Sequence, residues 1–377
     1  MSKRILVTGE YGIRNGGENS FLAVAPMLME HGWEFHAAVP SNTEFASALG
    51  QAGIPSHDLS FSDDRGERKS QSAIRADIAN LIQKLDPAIV HCNSLSTSRL
   101  CGPVTSELKT SGLGYLRDIL KLSRKAVSDI NHLDRIIAVS QATKTWHVEQ
   151  GMSEQKVHVV HNGVDTDQFR PALPEETPNV RDELNIPSKA HVLLFVGQIG
   201  MRKGVDVLID AFIQVADGLS DVHLLIVGER NSTKQEAIDY EIRLHDLVSS
   251  SQFSSQVHWL GRCSNVNEIM RASTLLIHPA RQEPLGRVLL EAAACGLPTI
   301  TTNVGGSQEI FSSPALQELL FPKDDTSELV TRIQALLDDE ARRNTLGTLC
   351  RETATQKFSL SRCANELNEQ YLRLVDS

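Results

Sequence analysis

Short apolar runs rich in Val, Ile and Leu alternate with stretches of helical spacing along almost the whole chain. Brief apolar runs bounded by Gly, Asn or Pro read as buried strands. The amphipathic stretches between them read as helices, and the alternation predicts parallel sheets flanked by helices. In the first half the expected strands are Ile5–Thr8, Phe35–Val39, Ala88–His91, Gly114–Leu116, Ile136–Val139 and Val157–His161. In the second half they are Val192–Val196, His223–Val227, Val257–Leu260, Leu275–His278, Thr299–Thr302 and Leu319–Phe321. Helical spacing is clearest over Val205–Val215, over Val288–Cys295 and over the tail, Ser359–Val375.

A seam is expected near Phe169–Pro187, where Phe-Arg-Pro-Ala-Leu-Pro-Glu-Glu-Thr-Pro crowds prolines into a polar stretch. A new strand–helix series then opens at Val192. The chain therefore divides into residues 1–172, residues 173–358 and a tail helix, 359–377, expected to pack back across the seam. Each of the two larger parts reads as a doubly wound α/β domain. Open sheets of this kind bind ligands beyond the carboxyl ends of their strands.

The chain has 377 residues, room for two cores, with 41% hydrophobic and 22% charged residues, as in ordinary globular proteins. No apolar run approaches the ~18 residues of a membrane span, and the first residues lack the long apolar stretch of a signal peptide. A cytoplasmic location is the resulting expectation, with the inner face of the membrane as a second possibility. The net charge of −10 argues against general nucleic-acid binding, which needs a basic footprint. One local exception is Lys109, Arg117, Lys121, Arg124 and Lys125. It reads as a solvated helix face, or as a patch facing an anionic acceptor or the membrane. Six cysteines without Cys-x-x-Cys spacing read as free thiols rather than a zinc site.

Four segments carry chemistry. The densest runs from His278 through Glu283, Gly286, Arg287 and Glu291 to Pro298, reading as strand end, loop and helix. Backbone N–H groups at Leu285, Gly286 and Arg287 open that helix and, with its dipole, suit an anion. Glu283 and Glu291 can address one side, their spacing being a little over two helical turns. The plain alternative is a helix with acidic residues near its start, which the dipole favours anyway. The second segment is Phe-Val-Gly-Gln198-Ile-Gly-Met-Arg202-Lys203-Gly, again strand, Gly-rich loop and helix. Two cations at a helix N-terminus oppose the dipole and make sense beside a bound anion. It is neither a Walker loop nor Gly-x-Gly-x-x-Gly. Third is the loop Gly9–Ser20 with Gly16 and Gly17, which allows close backbone approach. Fourth is His161-Asn162-Gly163-Val-Asp165-Thr-Asp167, a tight turn at a strand end; its Asp-x-Asp is read as a turn and not as a metal site. His91 also ends a predicted strand, where a lone histidine is structural or touches substrate.

Together these segments resemble the retaining glycosyltransferases of family 4, which have the GT-B fold of two facing Rossmann-like domains with a cleft between them. The resemblance runs from the first Gly-rich loop to about Phe358 and is strongest over Val157–Phe169 and Val192–Ile310. Glu283 and Glu291 match the signature pair, and Arg-Lys203-Gly matches the phosphate loop. The resemblance implies that Lys203 and the backbone at Leu285–Arg287 hold the donor diphosphate, with Glu283 on the sugar and Glu291 on the ribose. It implies that Gly16 and Gly17 line the acceptor side and that His91 faces the sugar; Glu283, Lys203 and His91 form the expected catalytic set. Arg202, Gln198, Arg117, Asp118 and Asn162 join the expected substrate-binding residues. Two positions depart from the family. Gln198 stands where an arginine is usual, and Tyr115, Arg117 and Asp118 stand where a strand-end histidine is usual.

The activity this implies is a metal-independent, retaining transfer, without cofactor, from a UDP- or GDP-sugar to an unidentified acceptor such as a cell-envelope or lipid-linked glycan. The alternatives are an inactive nucleotide-sugar-binding protein and a GT-B epimerase or phosphorylase.

Overall fold

The computed structural model describes residues 3–173, 176, 179–219 and 221–376. Pro174, Glu175, Thr177 and Pro178 of the proline-rich seam lie outside the described residues. The chain forms two units. The first comprises Met1–Gly163 together with Leu360–Ser377, and the second comprises Val164–Ser359. The boundary therefore falls at Gly163/Val164 rather than at residue 172, and Phe169–Pro187 belongs wholly to the second unit.

The first unit runs β1 (Arg4–Thr8), α1 (Gly16–Glu30), β2 (Glu34–Val39), α2 (Glu44–Gln51), β3 (Ser56–Asp58), α3 (Gln71–Leu85), β4 (Ile89–Cys92), α4 (Leu95–Leu108), β5 (Ser111–Leu116), α5 (Arg124–Ile130), β6 (Arg135–Ala138), α6 (Gln141–Glu149) and β7 (Val157–Val159). The second runs α7 (Val180–Glu183), β8 (His191–Val196), α8 (Val205–Gly218), β9 (Val222–Val227), α9 (Gln235–Ser249), β10 (Val257–Gly261), α10 (Val266–Ala272), β11 (Leu275–His278), α11 (Arg287–Ala294), β12 (Thr299–Thr302), α12 (Ser307–Ile310), β13 (Leu320–Phe321), α13 (Thr326–Asp338) and α14 (Glu340–Lys357). The last helix, α15 (Leu360–Val375), returns to the first unit.

Each unit is built on one parallel sheet. The orders are β3-β2-β1-β4-β5-β6-β7 and β10-β9-β8-β11-β12-β13. Both units start mid-sheet, wind outward one way and then the other, and reverse beside β1 and β8. Such a reversal leaves a crevice at the strand ends. Ile5, Leu6 and Val7, and likewise Val192 to Phe195, are fully buried, as central parallel strands require.

Local chemistry explains where elements begin and end. Thr43, Ser70, Ser94, Ser123 and Ser140 each accept a bond from the third backbone N–H of the helix they open. α8 and α11 instead begin at left-handed glycines, Gly204 and Gly286, without a side-chain cap. β5 carries Gly112 and Gly114 because Leu133 packs there: an added Cβ would lie 2.7 and 2.6 Å from its methyl carbons. α15 buries Leu360, Cys363, Ala364, Leu367, Tyr371 and Leu374 along one stripe. Its polar side chains tie it to the same unit, with Trp33 Nε1 donating to Asn368 at 2.7 Å and Arg135 to Gln370 at 2.9 and 2.7 Å.

The basic run expected as one helix face is divided. Lys109 ends α4 in the left-handed region ahead of β5, whereas Arg117 follows that strand. Lys121, Arg124 and Lys125 are exposed on the next loop and the start of α5. All six cysteines are free, and all but Cys263 are buried.

Candidate active site

In the second unit the loop after β8 and the loop after β11 meet. Gly204 has φ 68°, and a Cβ there would lie 2.1 Å from the Pro279 carbonyl oxygen, so only glycine permits the approach. The loops are then zipped together. Arg281 N donates to the Arg202 carbonyl at 2.8 Å, and Arg202 Nη1 donates to the Gln282 carbonyl at 3.0 Å. Arg281 also grips Asp206 at 3.0 and 2.7 Å and Asp324 at 2.6 Å, while Tyr240 donates to Asp206 at 2.7 Å.

This brace brings Lys203 to Glu283. Lys203 Nζ donates to Glu283 Oε2 at 2.5 Å, and His278 Nε2 lies 2.6 Å from the same oxygen. His278 is fully buried, with its ring stacked on Phe195 at 6.4 Å. Burial alone pushes the Glu283 carboxyl up; the Lys203 ammonium and the His278 N–H outweigh it and hold the group well below the usual carboxylate range. Burial, and then the Lys203 charge, lower the pKa of His278, so its ring is neutral at physiological pH. Glu283 is thus an ionised carboxylate, six per cent exposed, beside a cation at a site edge.

The chain turns from Glu283 into α11 through Leu285 and Gly286, with Gly286 at φ 102°. Gly306 closes against this turn: its N–H donates to the Glu283 carbonyl at 3.0 Å, and a Cβ there would lie 2.4 Å from the Pro284 carbonyl. Leu285 is buried, so only the backbone of this segment is suited to a ligand. Glu291 is held by Arg287 at 3.0 Å, one turn along α11. Gln198 is exposed on the β8–α8 loop and does not join the Lys203 cluster. Sequence reasoning paired Lys203 with Glu283 only through a ligand and gave no role to His278, Arg281 or Asp206. The five-residue step from His278 to Glu283 across Pro279 was the available signal.

The first unit gathers a different set. Asn15 caps α1 in a reciprocal box with Glu18. Gly17 sits against Arg117, whose Cδ lies 3.1 Å from where a Cβ would stand. Arg117 donates to the Asn93 carbonyl at 3.0 Å, to Asn93 Oδ1 at 2.9 Å and to Asn162 Oδ1 at 3.1 Å, and stacks over Tyr115 at 3.9 Å. Gly16, Gly17, Arg117 and Asn162 are therefore brought together. Asp118 points to solvent, while its backbone carbonyl accepts from His147 at 2.8 Å.

His91 stands behind this group. The alternation of β4 turns its ring into the layer that α15 covers, leaving it one per cent exposed. Its Nδ1 pairs with the Tyr371 hydroxyl at 2.5 Å, and its ring stacks on Tyr115 at 5.4 Å. Burial, helped by the Arg117 charge, lowers its pKa to about 3. It is a buried, neutral histidine held by Tyr371. Beside it lies an enclosed cavity of about 10 Å³, the size of one water, between Ser20, Asn162 and Cys363. Asp165 is a turn residue, as its Oδ1 accepts from the backbone of Asp167 at 3.0 Å and of Gln168 at 2.9 Å. Among the described residues no three His, Cys, Asp or Glu side chains are grouped to hold a metal ion.

The sequence model of the glycosyl transferases group 1 matches residues 176–352, and that of Glycosyltransferase Family 4 matches residues 14–168. The chain belongs to the family 4 glycosyltransferases. This family-4 chain is 29% identical over 249 residues to the alpha-maltose-1-phosphate synthase of Mycobacterium tuberculosis, a match covering 63% of each. It is 31% identical over 217 residues to D-inositol 3-phosphate glycosyltransferase 1 of Catenulispora acidiphila, covering 56% of this chain and 51% of that enzyme. The matches thus span less than two thirds of either relative. Among solved structures, Anabaena HepE in complex with UDP and glucose superposes with a TM-score of 0.85 at 22% identity, covering 97% of this chain and 98% of that one. Sucrose-phosphate synthase from Thermosynechococcus elongatus gives 0.80 at 21% identity, covering 99% of each. These likenesses bear on the fold.

Proposed function

We propose that this family-4 protein transfers a sugar, with retention and without a metal, from a UDP- or GDP-sugar to a glycan or lipid-linked acceptor. The observation that carries the reading is the Lys203–Glu283–His278 cluster beside the start of α11. Breaking a glycosyl–phosphate bond builds negative charge on the departing diphosphate and positive charge on the sugar. Donors fixed in advance at the place where charge develops lower that barrier. An ammonium has three N–H groups. One of Lys203's meets Glu283, and the others remain for phosphate oxygens. The uncapped start of α11 adds backbone donors and the positive end of its dipole. Glu283, ionised and fixed, accepts hydroxyl bonds from the donor sugar, and Glu291 does so from the ribose. Arg202, on the same loop, adds charge where Gln198 replaces the usual arginine. Retention follows if the acceptor attacks on the face the diphosphate leaves, a phosphate oxygen taking the acceptor proton.

On the first unit, Gly16, Gly17, Arg117, Asp118 and Asn162 serve the acceptor side. Exposed Lys121, Arg124 and Lys125, near half-exposed Leu120 and Trp146, suit an anionic or membrane-borne acceptor. No helix among the described residues is long and apolar enough to cross a membrane. We place the reaction in the cytoplasm, at or near the inner face of the membrane.

The test is a thermal-shift panel of UDP, GDP, ADP and their sugars, followed by nucleotide release from the donor that stabilises most. Stabilisation by a sugar nucleotide with its turnover supports the proposal. Stabilisation without turnover across several acceptors favours a binding protein instead.

A further inference from the structure

Both bonds recorded for the Glu283 carboxylate fall on one oxygen. Lys203 Nζ and His278 Nε2 converge on Oε2, which leaves Oε1 to accept from a ligand. Lys203 sits on the β8–α8 loop and can swing, whereas His278 cannot. Its ring is fully buried at the end of β11, parallel to Phe195 within 12°. Its other nitrogen, Nδ1, is buried and meets no partner among the described residues.

A neutral imidazole carries one N–H, and the bond each nitrogen makes decides where it sits. A carboxylate only accepts, so the proton belongs on Nε2. With Nδ1 buried and without a partner among the described residues, nothing there competes for the proton. The charges facing this pair are Lys203, on the oxygen itself, and Arg202, further along the same loop.

We propose that His278 is a positioning residue for Glu283. As the Nε2–H tautomer it pins Oε2, so that the carboxylate keeps its orientation when Lys203 turns toward an incoming phosphate. Oε1 then stays aimed at the sugar. The effect on turnover rests on the transferase reading above; the coupling between the two side chains does not.

Two variants test it. His278→Phe keeps a ring against Phe195 and removes the N–H, and His278→Gln restores an amide N–H of similar reach. With the best sugar nucleotide of the panel, His278→Phe should lower kcat for nucleotide release by about tenfold or more, with KM within about threefold. The acid limb of kcat/KM should move to higher pH, because a carboxylate deprived of a donor titrates later. His278→Gln should recover most of the rate and return the acid limb. A residue that only packs would leave that limb in place.

Melting temperatures of His278→Phe, Glu283→Met and the double variant provide a reading that needs no turnover. Coupled side chains give a double variant less destabilised than the sum of the singles. Additive losses, or an unmoved acid limb with unchanged kcat, overturn the proposal. If the unaltered protein turns over no sugar nucleotide, the transferase reading fails. The melting series then decides alone, non-additivity upholding the coupling and additivity ending it.

Discussion

The two units place a buried histidine on corresponding strands and use it differently. β4 lies beside β1, and β11 lies beside β8, in the same place of each sheet order. His91 and His278 are both buried, both kept neutral chiefly by burial, and each has one nitrogen that meets no partner among the described residues. The other nitrogen makes the difference. In the first unit it meets the phenol of Tyr371 under a helix. In the second it meets a carboxylate that also holds a lysine. Burial and ring chemistry do not separate a core histidine from a site histidine; the charge of the partner does. Helix starts differ too, although Asp325 and Asp339 cap α13 and α14 in the second unit. In the first unit Ser and Thr side chains occupy the first-turn N–H groups, whereas α8 and α11 begin at glycines with no such cap.

The sharpest way to break this contrast is Lys203→Ala. Losing a preorganised cation at the departing diphosphate should cut nucleotide release by roughly two to three orders of magnitude. Turnover near that of the unaltered protein would remove the second unit's claim to the chemistry.

Next in size is Gly204→Ala. With φ at 68° and the Pro279 carbonyl 2.1 Å from the new Cβ, the loop must shift. Unfolding should become easier by about 2 kcal/mol or more, read from urea midpoints, with Lys203 displaced from Glu283.

His91 sharpens the other side through pH. Its folded pKa of about 3 lies below the ordinary histidine value of 6.5, so the unfolded chain binds more protons between those limits. Stability from this group is therefore full at neutral pH and lost as pH falls from 6.5 toward 3. Between pH 7 and pH 5 the loss is about 2 kcal/mol. His91→Phe, less stable at pH 7 for want of the Tyr371 bond, should show a curve flatter by that amount. Parallel urea midpoints for both proteins at the two pH values would contradict this.

The smallest effect is expected at Gly17→Ala. The nearest atom, Arg117 Cδ at 3.1 Å, belongs to a side chain held at its guanidinium and must yield a few tenths of an ångström, which the helix preference of alanine offsets. The change should stay within about 0.5 kcal/mol, in contrast to Gly204.

Much of this was legible in the sequence. The central strands of both sheets are uninterrupted Val, Ile and Leu, and burial on both faces leaves that mark. Lys203 stood out because a cation beside a helix start opposes the dipole, and Glu283 because it stands with Glu291 in a strand–loop–helix segment matching the family's signature pair. β3 escaped, being a short edge strand of Ser, His and Asp with no apolar alternation. β5 was read from Gly114 instead of Ser111 because Gly112 looks like a turn residue until Leu133 is seen to fill its place. That His91 pairs with Tyr371, 280 residues away, is announced by no local pattern. Arg281 was passed over because its partners, Asp206 and Asp324, lie in separate segments on either side of it.

α15 belongs to the first unit but follows the whole of the second in the chain. During synthesis the ribosome therefore releases every strand of the first sheet long before the piece that covers His91 and Trp33. The second unit can mature while the first still waits with an apolar flank open. Completion of the first unit thus waits on the last helix to be translated, and damage to the tail falls on the opposite end of the polypeptide.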